Sequence, residues 1–358
     1  MPSRTALVTA ALSGALLLGA CTSTGPTTAG SAATPSTGTT SPGTPTSAPA
    51  PSSPITTSTP PPPTASPTPD PASIPALIAM RYDAGPLRLG RESGSTDAYR
   101  QYFVTYASNG LTISGRINIP RGKGPFPAVV LAHGYVDPAA YTNGQTMLRE
   151  RDFLARRGYV TLHIDYRNHA QSSRDPGNDA DLRTGYTVDA INAGLALDQA
   201  PYVEHGRIAL IGRSMGGGVV LNALVAKPGL FKAAVAYAPV SSDTVDNFDK
   251  WVRRDASRAS AARAVIARLG TPEAQPARWA TTSPRTYFAR VTEPLLIHHG
   301  TADEECPLVW SRETVAALKA KGKSVQLDVY PGGRHTLASP QWDVSIRRTE
   351  AFLASYLR

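Results

Sequence analysis

The stretch Ile208–Val219, IALIGRSMGGGV, carries the residue types and spacing best suited to chemistry. Within it, Gly212-Arg213-Ser214-Met215-Gly216 matches the G-x-S-x-G pattern. A serine hydroxyl attacks a carbonyl only when a base removes its proton and an acid orients that base, so Ser214 points to acyl transfer if two such partners exist. The surrounding elements are predicted from the same stretch. Ile208–Ile211 is an apolar run of strand type, and Gly216–Ala226 is a small-residue helix that stops before Pro228. A strand that turns directly into a helix strains the residue between them and lifts its side chain clear of the sheet. The helix N-terminus then aims its free N–H groups at the place where an oxyanion would form. The alternative is a glycine-rich turn of a parallel sheet with an incidental serine.

The chain has 358 residues and a formal charge of +9, and its first 80 or so residues do not read as globular. Residues 1–20 contain Arg4 and then an apolar run from Ala6 to Ala20, too short to span a bilayer and shaped like a secretory signal. The run ends in Leu18-Gly19-Ala20-Cys21, which resembles the bacterial lipoprotein signal. That resemblance implies cleavage before Cys21, lipidation of its sulfur, and an exported protein anchored to the extracytoplasmic face of the cell membrane. An ordinary cleaved signal with an idle cysteine is the alternative. Residues 21–80 are read as a disordered tether: from Thr22 to about Ser73 the composition is Pro, Thr, Ser, Ala and Gly with Asp70 the one charge. Fifty such residues in polyproline conformation reach on the order of 150 Å.

Residues 81–358 form one domain's worth of chain, and Cys306 is the one cysteine left after Cys21, so the domain is held by its core and not by disulfides. The positive charge comes mostly from scattered arginines, among them Arg253, Arg254, Arg258, Arg263 and Arg268, without a nucleic-acid motif. No nucleic-acid partner is expected. Strands are predicted at Arg100–Ala107, Leu111–Ile119, Ala128–Ala132, Val160–Asp165, Ile208–Ile211, Ala233–Ala238, Pro294–His298 and Val325–Tyr330. Asn109-Gly110 makes the first two a hairpin. Helices are expected at Gln145–Arg157, Gly185–Gln199, Gly216–Ala226, Ser260–Leu269, Ser311–Lys321 and Val344–Leu357. The alternation predicts an α/β architecture, a mostly parallel eight-stranded sheet with helices on both faces and functional loops at the C-terminal edge.

In VVLAHGY, GYVTLHIDYR, IALIGRSMGG, SPRTYFARVTEPLLIHHGTADEECP and VYPGGRH, five segments in order, the chain resembles the α/β-hydrolases. Within them it is most similar to the catalytic domain of the prolyl-oligopeptidase family and to dienelactone-hydrolase-like esterases, over about Arg100 to Leu357. The resemblance implies a catalytic acid at Asp303 and a base at His335, with oxyanion donors from the backbone of Met215 and from Tyr135, by backbone or hydroxyl. Glu304, Glu305 and Asp243 are alternative acids. His133 is read as bracing its loop, His163 as a packing residue, and His169 and His205 as loop residues. A metal cluster at His298, His299, Asp303, Glu304, Glu305 and Cys306 is weighed and set aside, because adjacent ligands point to opposite faces of a strand and no CxxC or HExxH spacing is present. No metal and no cofactor is expected.

An insertion of about fifty residues, 241–290, follows the sixth strand. Its Trp251, Trp279, Tyr287 and Phe288 and its arginines either line a substrate pocket and attract an anion or form a helical cover with a solvated basic face. Prolyl oligopeptidases carry a propeller ahead of the hydrolase domain, where this chain has a tether and roughly twenty-five residues. The expectation is therefore a carboxylic-ester hydrolase acting on a small ester, with a serine peptidase acting on short peptides as the second reading. A non-catalytic envelope binding protein is the third.

Overall fold

A computed structural model describes residues 68–357. The apolar leader, Cys21 and the tether up to residue 67 lie outside the described residues. Nine strands form one sheet: β1 (Arg88–Ser95), β2 (Tyr99–Ser108), β3 (Leu111–Pro120), β4 (Phe126–Ala132), β5 (Val160–Ile164), β6 (Val203–Arg213), β7 (Ala233–Tyr237), β8 (Leu295–Gly300) and β9 (Val325–Tyr330), in the order β1-β2-β3-β5-β4-β6-β7-β8-β9. The first three and β5 pair antiparallel, and β5 to β9 are parallel. The eight strands expected are all present. The ninth, β1, escapes a hydrophobic-pattern reading because Arg88–Ser95 is polar and exposed along nearly its whole length, an edge strand paired through two register shifts.

Among the described residues nine α-helices accompany the sheet: α1 (Ile74–Ala79), α2 (Leu148–Ala155), α3 (Thr184–Asp198), α4 (Met215–Ala226), α5 (Thr244–Phe248), α6 (Ala259–Leu269), α7 (Pro276–Thr282), α8 (Leu308–Lys319) and α9 (Gln341–Leu357). Successive strand residues point to opposite faces, so β4 sends Ala128, Val130 and Ala132 into one core, shared with α3, α4 and α8. Val129 and Leu131 enter the other, shared with α2 and α9. Both faces of the central strands are thus apolar, which is why Ala128–Ala132 and Ile208–Ile211 read as continuous apolar runs.

Packed structure begins before residue 80. Ile74 and Leu77 of α1 are buried in the main core, Ser73 Oγ accepts the Ala76 N–H at 3.3 Å as an N-cap, and Asp70 lies 3.6 Å from Arg268. Ile74, Leu77 and Ile78 in a Pro/Ala background give too weak a periodicity to announce a six-residue helix. The 241–290 insertion folds around α5, α6 and α7 with an apolar cluster of its own, Phe248, Ala262, Val265, Leu269 and Trp279.

Candidate active site

Register carries the ends of the parallel strands to one edge: Ala132 pairs with Gly212, Arg213 with Tyr237, and Tyr237 with His298. Ser214 follows β6 at that edge with φ 57° and ψ −119°, and α4 begins at the next residue. A non-glycine residue there costs of order 1–3 kcal/mol and survives only where the surroundings impose it. A Cβ on Gly216 would lie 1.9 Å from the Ala132 carbonyl oxygen, and one on Gly212 would lie 2.0 Å from that of Gly216, so the two flanking glycines are steric requirements. Ser214 N–H donates to Tyr237 O at 2.9 Å, and its own carbonyl accepts from Gly217 at 2.8 Å. Arg213, at the first x of the motif, pairs with the buried Glu150 of α2, which also accepts the Trp342 indole N–H at 2.9 Å. The elbow is thereby fastened to α2 and α9.

The loop after β8 carries Asp303, and the loop after β9 carries His335. Thr301 N–H donates to Tyr330 O at 3.0 Å and Ala302 N–H to Gly333 O at 2.9 Å. Gly300 permits that approach, since a Cβ there would sit 2.0 Å from Gly333 O. His335 Nδ1 lies 3.0 Å from each Asp303 oxygen. Asp303 also accepts the backbone N–H groups of Glu305 and Cys306, both at 2.8 Å, and faces His299 Nε2 at 3.2 Å. Burial pushes its carboxyl up, but the hydrogen bonds from His299, His335 and Cys306 outweigh it and hold the group well below the usual carboxylate range. Asp303 is therefore the ionised partner of His335.

Ser214 and His335 line one cavity of about 750 Å³, together with Tyr135 and Met215. Among the described residues no hydrogen bond joins the hydroxyl to the imidazole. The remaining wall includes Leu182, Val219, Phe248, Trp251, Val252 and Val265, a mostly apolar surface to which the insertion contributes half or more.

Of the alternative acids, Glu304 and Asp243 are otherwise engaged. Glu304 pairs with Arg334 at 3.1 Å and accepts the His335 backbone N–H at 3.2 Å; Glu305 faces the cavity; Asp243 caps α5 through the Val245 N–H at 3.0 Å and lies 3.4 Å from Arg285. His133 does brace its loop, Nδ1 reaching Gly134 O at 2.6 Å, while burial lowers its pKa to about 4. His163 is fully buried, its Nε2 3.1 Å from Thr146 Oγ1. His169 is buried too, not merely a loop residue, with its ring nitrogens on the Arg167 and Val136 carbonyls. His298 and His299 take opposite faces of β8: the first binds Thr349 and Tyr330 and the second Ser311 and Cys306 O.

Of the insertion aromatics, Trp251 reaches the cavity, whereas Trp279 is the centre of the insertion's own cluster and Phe288 lies in the main core. Arg258 lines the cavity and, with Arg183, stacks on the Tyr135 ring at 4.8 and 4.7 Å. Arg253, Arg268 and Arg285 are held in ion pairs with neighbouring carboxylates.

Residues 145–358 match the peptidase S9 family, the prolyl oligopeptidase family. The chain belongs to the prolyl oligopeptidase family. A Bacillus subtilis (strain 168) relative named uncharacterized peptidase YuxL is 27% identical over 253 residues, which cover 66% of this chain and 35% of that protein. The chain thus spans about a third of the length of that relative. Among solved structures it is similar to a Pyrococcus horikoshii acylaminoacyl peptidase, with TM-score 0.59 and 22% identity over 74% of this chain and 42% of that one. It is also similar to an acetyl xylan esterase from Paenibacillus sp. R4, with TM-score 0.59 and 20% identity over 79% of this chain and 92% of that one. At these identities the two structures share with this family member a fold.

Sequence reasoning overlooked three contributors to the site: His299 behind Asp303, the Glu150–Arg213 pair behind Ser214, and Arg183 beside Tyr135. His299 stands one residue before Gly300 at the end of its strand, the position from which a side chain can reach the acid loop, and that placement was the available clue.

Proposed function

We propose that this protein is a serine hydrolase that cleaves carboxylic esters through an acyl-enzyme on Ser214. The observation that carries the reading is the pairing of His335 with both oxygens of a buried Asp303 at the mouth of the cavity that also receives Ser214. Ser214 Oγ attacks the ester carbonyl as its proton passes to His335 Nε2, and Asp303 holds the imidazole and stabilises its cation. The oxyanion is received by the backbone N–H of Met215, at the start of α4, and by Tyr135 through its backbone N–H or its hydroxyl. The tetrahedral adduct expels the alcohol, which takes the proton back from His335. Water then repeats the sequence with the acyl-enzyme as electrophile and releases the acid and the free serine.

The apolar wall of Leu182, Val219, Phe248, Trp251 and Val265 supports an ester bearing one compact apolar group. The family's name and those of relatives such as the acylaminoacyl peptidase support a peptidase as the second reading. Turnover of p-nitrophenyl acetate and longer acyl esters, set against aminoacyl-p-nitroanilides, separates the two. Ser214→Ala is expected to lower ester turnover by a factor on the order of 10⁴ or more. Equal turnover by Ser214→Ala would end the acyl-enzyme proposal. The resemblance of Leu18-Gly19-Ala20-Cys21 and the apolar run before it to a lipoprotein signal supports the cell envelope as the proposed location, read out as loss of membrane association in Cys21→Ala.

A further inference from the structure

Asp303 sits on a loop of turns, where a carboxylate held only by its own backbone neighbours would keep rotational freedom. Among the described residues, the sheet side chain paired with that carboxylate is His299, the residue before the last of β8. His299 Nε2 lies 2.8 Å from Cys306 O and 3.2 Å from Asp303 Oδ2, and its Nδ1 lies 2.7 Å from Ser311 Oγ on α8. A carbonyl oxygen accepts and never donates, so the proton is on Nε2, directed at the Cys306 carbonyl with the Asp303 carboxylate 3.2 Å from the same nitrogen. Nδ1 is then bare and accepts the Ser311 hydroxyl. This one tautomer satisfies both nitrogens of a fully buried ring and joins strand, acid loop and α8.

We propose that His299, set in its tautomer by Ser311, is a positioning residue for the reaction: it fixes the Asp303 carboxylate so that both oxygens meet His335, and it withdraws part of the charge that Asp303 offers the imidazole. The inference rests on the Ser214–His335–Asp303 reading. The other charged or titratable groups around the pair are Glu304 and Arg334, bound to each other, Glu305 at the cavity, the buried Cys306 thiol, and Lys250 of the insertion, which acts on that thiol. None of them is paired with the Asp303 carboxylate through a side chain of its own, whereas His299 is.

Two consequences follow in different observables. Without the His299 donor the carboxylate is less well oriented, which slows acylation without weakening substrate binding. It also carries more charge, which favours imidazolium and moves the acid limb of kcat/KM to higher pH. Loss of packing alone would do neither: it lowers thermal stability and the fraction of active protein, and leaves the limb where it was.

The test compares wild type, His299→Leu, His299→Gln and Ser311→Ala on p-nitrophenyl acetate, with full pH profiles and melting temperatures. His299→Leu is expected to lower kcat on the order of tenfold with KM within about twofold, and to raise the acid limb by on the order of half a pH unit. His299→Gln, whose amide N–H reaches about as far as Nε2, is expected to restore most of both. Ser311→Ala leaves the ring in place and is expected to shift the limb in the same direction by less, which keeps the test open if His299→Leu does not fold. Unchanged kcat in His299→Leu, or a loss with the acid limb stationary or moved down that Gln does not recover, overturns the proposal; for an unfolded His299→Leu, an unshifted Ser311→Ala does the same. Undiminished turnover by Ser214→Ala would instead strike the acyl-enzyme reading itself, so the two failures are told apart.

Discussion

At Asp303 and Glu304 two adjacent carboxylates end in different surroundings, and the difference is one of donors. Asp303 is 1% exposed, accepts from two backbone amides and the His335 imidazole, and has His299 Nε2 3.2 Å away, whereas Glu304 is 43% exposed and faces the guanidinium of Arg334. Charge-assisted bonds to a buried carboxylate cannot be replaced by water, and an exposed ion pair is worth about 0–1 kcal/mol. Asp303→Asn is accordingly expected to lower kcat by on the order of 10⁴ while circular dichroism remains native, because the amide presents the wrong partner to His335 Nδ1. Glu304→Gln is expected to change kcat/KM by less than about threefold. Comparable losses in the two variants would mean that the acid has been assigned to the wrong side chain.

The insertion behaves as an element with its own core. Trp279 is wholly buried against Phe248, with centroids 4.7 Å apart, and its indole N–H donates to Gly270 O at 3.1 Å. Trp251 and Arg258, which line the cavity, are carried by the short turns between α5 and α6, so their placement depends on a cluster they do not belong to. Trp279→Ala is expected to cost about 3–5 kcal/mol, concentrated in the insertion. Hydrogen exchange should then accelerate across residues 244–282 while the central strands stay protected, and KM for longer acyl esters should rise more than for acetate. Uniform loss of protection throughout the sheet would show that the insertion is not a separate cooperative unit.

For the molecule as a whole, the buried histidines determine how stability responds to acid. Burial lowers the pKa of His133 to about 4 and that of His298 to about 3. In the unfolded chain each binds its proton near 6.5, so between about 6.5 and about 4 unfolding takes up protons and stability falls as the pH falls, by roughly 1.4 kcal/mol per pH unit for each. Asp303, held below the carboxylate range, adds a further loss only at lower pH, as it protonates. Urea midpoints measured from pH 7 to pH 4.5 should decline steadily, and His298→Gln, which keeps hydrogen-bonding capacity toward Thr349 and Tyr330, should flatten the decline. A pH-independent midpoint over that range would contradict the assignment.

Ser214 was legible from the chain alone because the elbow is a local object: a strand, a helix and two glycines within a dozen residues, each with a steric reason that the backbone confirms. The parallel sheet was legible for a similar reason, since strands covered on both faces must be apolar without interruption. What only the tertiary structure decided depends on residues distant in sequence. The contact of Asp303 with His335, the bonding of His299 to Ser311, the Glu150 partner of Arg213, and the division of the insertion's tryptophans between core and cavity all turn on segments meeting across the fold. A polar edge strand such as β1 and a six-residue helix such as α1 likewise owe their form to pairing and packing with the domain, and carry too little periodicity to be read in isolation.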